Sequence, residues 1–66
     1  MKVSYDGAED VLYIELRDGR VIETEEVRPG LFVDRDDEGQ IVGIELVDAS
    51  DHVEEPASIR VEQRSG

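Results

Sequence analysis

The densest group of side chains able to do chemistry lies between residues 34 and 45, in DRDDEGQIVGIE. Asp34, Asp36, Glu38, Gly39 and Glu45 fall at positions one, three, five, six and twelve of an EF-hand-like calcium loop, with Ile41 at the apolar position after the glycine. A hard cation takes several carboxylate oxygens, and a glycine permits the sharp turn that gathers them. Asp34, Asp36 and Glu38 are therefore the candidate metal ligands, for Ca²⁺ or a small ligand. Two features oppose a true EF-hand. Glu38 is longer than the Asp or Asn usual at its position, and the flanks alternate with period two, as strands do and helices do not. The competing reading is a β-hairpin in which Gly39 supplies a positive φ angle.

Other chemistry-bearing residues are sparse. His52 is the lone histidine and sits in an acidic stretch. Ser50 is two residues away, and residues two apart on a helix do not share a face. A capping serine and a solvated histidine explain both. Adjacent carboxylates occur at Glu9-Asp10 and Glu25-Glu26. A hydrolytic pair needs two environments that separate its pKa values, and no sequence feature provides them. Glu45, set in an apolar strand, is expected to pair with Arg17, Arg28, Arg35 or Arg60, because a buried charge needs a partner. There is no phosphate loop, no GxGxxG and no HExxH. An enzyme is not expected, and neither catalytic residues nor a cofactor are assigned.

The elements that would position these residues are strands. Residues 2–5 form a short first strand, and Asp6-Gly7-Ala8-Glu9-Asp10 is turn chemistry. Residues 11–16 make a second strand, with Leu12, Ile14 and Leu16 on one face and Val11 and Tyr13 on the other. Asp18-Gly19 suits a tight hairpin turn into a third strand over residues 20–27. Glu23, Glu25 and Glu26 mark that strand as an edge. Arg28-Pro29-Gly30 breaks the ladder. Residues 31–34 and 40–47 form strands four and five, and Gly43 marks a bulge or a close approach by another backbone. Asp48 or Ser50 caps a short C-terminal helix bounded by Pro56, and residues 58–63 alternate as a possible last strand. The fold class is mostly β (small α+β), an antiparallel meander of about five strands.

Sixty-six residues make one domain, and a chain this short has a thin core. It has no cysteine, so disulfides cannot reinforce it. Strands two and five carry hydrophobes on both faces. One short helix covers one face at most, so a second copy of the chain is the economical cover for the other. The aromatic residues, Tyr5, Tyr13 and Phe32, are expected in the core or the interface. Eighteen acidic residues against seven basic give a net charge of −11, which repels phosphate backbones. Nucleic acid is excluded as a partner. No run is long enough to cross a membrane, and no signal-peptide core is present, so a cytoplasmic protein is expected. The charge serves solubility, or it attracts a small basic protein.

Tyr5-Asp6, Asp10-Val11-Leu12-Tyr13-Ile14, Gly30, Val33-Asp34, Gly39-Gln40-Ile41-Val42-Gly43-Ile44-Glu45 and Asp48-Ala49-Ser50 together resemble the DUF2283 family of small prokaryotic proteins. The resemblance implies a single domain over residues 1–66, a β-rich fold with a short C-terminal helix, and a hairpin at the acidic turn. It implies no enzymatic activity. Through members that sit beside small toxins, it implies an antitoxin-like role. The expected function is a noncatalytic interaction module that self-associates and binds a small basic protein such as a toxin.

Overall fold

Period-two alternation over short segments, punctuated by turn residues, yields five strands in the computed structural model, which describes residues 1–65. They are β1 (Lys2–Asp6), β2 (Val11–Glu15), β3 (Glu23–Arg28), β4 (Leu31–Arg35) and β5 (Ile41–Val47). All pair antiparallel in one sheet of order β1-β2-β5-β4-β3.

This order corrects the meander. A meander would seat β3 between β2 and β4, flanking Glu23, Glu25 and Glu26 on both sides with apolar strands. Desolvating those carboxylates is expensive, so β3 takes an edge, and every one of its residues is exposed. β5 takes the centre instead. Strands β2 to β5 thereby acquire Greek-key connectivity, with three consecutive hairpin-linked strands and a fourth joined by a longer connection. Asp18-Gly19 does not close a hairpin. It lies in the link that carries the chain from β2 to the far edge, and neither residue has a positive φ. Gly19 passes over Val42, where a Cβ would come within 2.9 Å of Val42 Cγ1. Ile22 then donates its N–H to the Arg35 carbonyl at 2.8 Å.

The turns follow their residues. Arg28 faces Leu31 across Pro29-Gly30, and Gly30 has φ +82°, as the third residue of a type II turn requires. The acidic turn is the expected hairpin. Asp36 N–H donates to the Gln40 carbonyl, Gly39 N–H to the Asp36 carbonyl, and Gly39 has φ +78°. That is a three-residue loop closed by a left-handed glycine.

The register assembles two apolar rows on one face. Val3, Ile14, Ile44 and Val33 form one row, and Tyr5, Leu12, Leu46 and Leu31 the other. Cross-strand pairs of this kind each contribute about 0.2–1 kcal/mol. Among the described residues no second sheet or helix completes their burial, and the link after β2 covers the face only at Val42. The molecule measures 34 × 33 × 18 Å, and Val33, Val42 and Ala49 are the buried hydrophobes among the described residues.

Beyond β5 the expected helix is a single 3-10 turn, Ala49–Asp51. Neither expected cap forms. Asp48 stands at the N-cap with φ +51° and makes no side-chain cap, while Ser50 lies inside the turn with its hydrogen-bonding groups engaged elsewhere. Residues 58–63 are not a strand, because no neighbouring strand offers them a ladder. Gly30→Ala should destabilise the fold by about 1–2 kcal/mol, the penalty for a Cβ at left-handed φ. A Cβ there would also stand 3.2 Å from Val47 Cγ2. Urea unfolding followed by circular dichroism measures the loss.

Candidate functional site

Two carboxylates organise the polar side chains, and they lie in different parts of the sheet. Asp34 occupies the face opposite the apolar rows. It stands level with Gly43 on β5 and with Thr24 on β3. Thr24 Oγ1 donates to its Oδ1 at 2.7 Å, and the Tyr13 hydroxyl donates to its Oδ2 at 3.0 Å. Tyr13 starts two strands away on β2, so its ring must cross β5 to arrive. It crosses over Gly43, where a Cβ would fall within 2.7 Å of Tyr13 Cζ and closer still to the hydroxyl. The close approach that Gly43 signals is thus made by a side chain. Burial and then the Asp34 carboxylate raise the Tyr13 pKa, which keeps the phenol protonated as a donor.

Asp10 forms the second centre. It closes the β1–β2 turn with φ +56°, a conformation that Asp tolerates better than most residues. Asp6 supports the same turn, its Oδ1 accepting the N–H groups of Ala8 and Glu9. The Asp10 carboxylate accepts the Ser50 hydroxyl at 2.6 Å, the Ser50 N–H at 3.0 Å and the Tyr5 hydroxyl at 2.7 Å. Its carbonyl accepts the Ala49 N–H at 2.9 Å. One residue therefore clasps the chain after β5 to the opposite end of the sequence. The hydrogen bond from the Ser50 hydroxyl, then that from Tyr5, pulls the Asp10 pKa below the usual carboxylate value.

The three candidate metal ligands are not gathered. Asp34 points across the sheet to Tyr13 and Thr24. Asp36 is occupied within the turn, its Oδ1 accepting the N–H groups of Glu38 and Gln40, each at 2.9 Å. Glu38 stands exposed at the tip. Among the described residues no group of three His, Cys, Asp or Glu side chains is placed to hold a metal ion. Glu45, expected to meet an arginine, lies between Tyr13 and Phe32 on the sheet face and makes no ion pair among the described residues. Arg35 pairs with Glu25 instead, at 3.4 Å. No side-chain nitrogen or oxygen among the described residues is both buried and unpartnered. Glu45 is half-buried rather than enclosed, so the demand for a counter-ion that a buried charge makes does not arise. His52 is exposed at the end of the 3-10 turn.

In both centres hydroxyls donate to a carboxylate, Ser50 and Tyr5 to Asp10 and Tyr13 and Thr24 to Asp34. The sequence signalled Gly43 and the Asp-rich turns. It did not signal the Asp10 clasp, whose partners stand 5 and 40 positions away.

Two outcomes are expected. Gly43→Ala should cost about 1–3 kcal/mol, as overpacking does, by evicting Tyr13 from its path to Asp34. A lowered urea midpoint measures it. Asp10 has a folded pKa below its unfolded value, so its clasp contributes fully above the unfolded pKa and is lost as pH falls through the folded one. Asn also tolerates positive φ, so Asp10→Asn removes the charge and keeps the turn. The melting temperature of the variant should fall less than that of the wild type as pH drops from about 5 to about 2.

No curated protein and no solved structure matches the chain. The family model described as protein of unknown function (DUF2283) matches residues 2–50, which span all five strands and end on the serine of the Asp10 clasp. The chain belongs to the DUF2283 family.

Proposed function

We propose that this domain is a noncatalytic protein-interaction module that self-associates through its apolar sheet face. The observation that carries the reading is the pair of apolar rows over which the described residues place no second sheet or helix. Of the residues in those rows only Val33 is buried; the rest are half-buried. The chain exposes 5346 Å². A compact monomer of this mass exposes about 4,200 Å². The open sheet and the extended residues after the 3-10 turn account for the excess. An ordinary stable interface buries about 800 Å² per protomer. Two sheets packed face to face would lie about 10 Å apart with their side chains interleaved.

The charge supports a second contact. A net charge of −11 suits a small basic protein as the hetero-partner, the antitoxin-like reading. Complementary fields speed encounter and reject acidic competitors.

Light scattering at micromolar concentration should give twice the 7.4 kDa chain mass. Leu16 extends the apolar face at the sheet end and is 37% exposed. Leu16→Glu should give the monomer mass with an unchanged circular dichroism spectrum. A wild-type chain that stays monomeric at hundreds of micromolar would refute self-association.

A further inference from the structure

We propose that residues 58–63 of one copy add to the free edge of β1 in a second copy as an antiparallel sixth strand. The inference rests on the self-association reading and names a contact that it does not require.

The sheet has two free edges, β1 and β3. β3 is blunted by Glu23, Glu25 and Glu26, the usual defence against stray pairing. β1 alternates cleanly, with Val3 and Tyr5 half-buried and Lys2, Ser4 and Asp6 exposed. Residues 58–63 read Ser-Ile-Arg-Val-Glu-Gln and alternate in the same way. They have the pattern of a strand and no ladder. Ile59 is 49% exposed and Val61 81%.

The two segments match in one antiparallel register. Tyr5 meets Ile59 and Val3 meets Val61, which extends both apolar rows by one strand. Lys2 meets Glu62, an opposite-charge pair. Ser4 meets Arg60, and Asp6 meets Ser58. Aromatic with β-branched, apolar with apolar and cation with anion are the favourable cross-strand pairs. A peptide that adds to a sheet edge gains main-chain hydrogen bonds and reads alternate side chains, as this one would.

The chain's own β1 is not the occupant. The Ser58 N–H is held by the Glu55 carbonyl at 2.8 Å, and Glu55 has φ +46°. The chain reverses there, and Ile59 and Val61 that follow are exposed and join no ladder of their own sheet. Reciprocal exchange between two copies is isologous and closes on itself, as a two-fold dimer requires.

The natural chain has no cysteine, so introduced thiols report cleanly. Directly opposed strand residues have Cα atoms about 4.5–5.5 Å apart, within disulfide reach. Equal amounts of the full-length single variants Ser4→Cys and Arg60→Cys are mixed and oxidised mildly. The expected product is the mixed disulfide, in at least tenfold excess over either symmetric disulfide. Replacing Arg60→Cys by Gln63→Cys, three residues out of register, should abolish that excess. Two outcomes would overturn the proposal. One is no excess of the mixed disulfide. The other is an intrachain disulfide in the Ser4→Cys/Arg60→Cys double variant without the mixed product, which would place the segment on its own β1. Light scattering of the reduced variants separates the two readings. Dimers without the mixed disulfide overturn strand addition alone, and monomers overturn both.

Discussion

Strand β5 forms hydrogen-bonded ladders on both sides, to β2 and to β4, and the rest of the sheet is arranged around that fact. Its sequence, IVGIELV, carries apolar side chains on both faces. Such a strand at an edge would leave backbone groups and hydrophobes open to any other chain. At the centre it is paired on both sides, with one irregularity opposite Asp34 and Arg35. The consequence is topological. The glutamate-rich β3, which follows β2 in the chain, must be carried past β5 and β4 to the far side. A link of seven residues, 16–22, makes that journey across about 14 Å, three inter-strand spacings.

The two polar centres solve problems that this arrangement creates. Four strands lie side by side on the Asp34 face, and the Asp34 carboxylate shares that face with Val11, Tyr13, Phe32 and Val47 and needs polar partners. The line from Tyr13 across Gly43 to Asp34 and on to Thr24 stitches four strands together with two charge-assisted hydrogen bonds. The chain ends raise the other problem. β1 pairs only with β2, and the segment after β5 leaves the sheet with nothing to follow. Asp10 ties both. It takes a hydroxyl from β1 through Tyr5 and a hydroxyl and an amide from Ser50, so the first strand and the 3-10 turn share one anchor. The tie is a set of hydrogen bonds to a carboxylate, and acid therefore loosens it.

The strands were legible because their signal is local. Alternation in VLYIE and IVGIELV, and the glycines at Gly30 and Gly39, locate β2, β5 and two turns to within a residue or so. The order of strands was not legible by the same means. Asp18-Gly19 has hairpin chemistry, and local chemistry favours the meander. Only the comparison of whole strands, glutamate-rich β3 against apolar β5, reverses the choice. The calcium-loop spacing failed for a related reason. In a loop between helices, residues 34, 36 and 38 converge on one point. In a strand followed by a turn, Asp34 faces across the sheet while Asp36 folds into the turn backbone. The Asp10 clasp joins residues 40 positions apart, and no pattern of neighbours encodes that distance.

The charge of the chain bears on how the two proposed contacts would behave together. Stacking two apolar faces brings two protomers of −11 each into proximity. The repulsion between them is a field effect, reaching about 8 Å at physiological ionic strength and shrinking as salt rises. Added salt therefore strengthens an apolar contact between like-charged copies. It weakens a contact with a basic protein, whose attraction is screened by the same ions. A basic partner also neutralises the protomers that it binds, which lowers the repulsion between them. The proposed hetero-association and self-association would then reinforce one another through charge alone, without any change in the sheet. The apolar face and the acidic surface need not compete for one site, because the charge lies on the turns, on β3 and on the Asp34 face, while the apolar rows occupy the other.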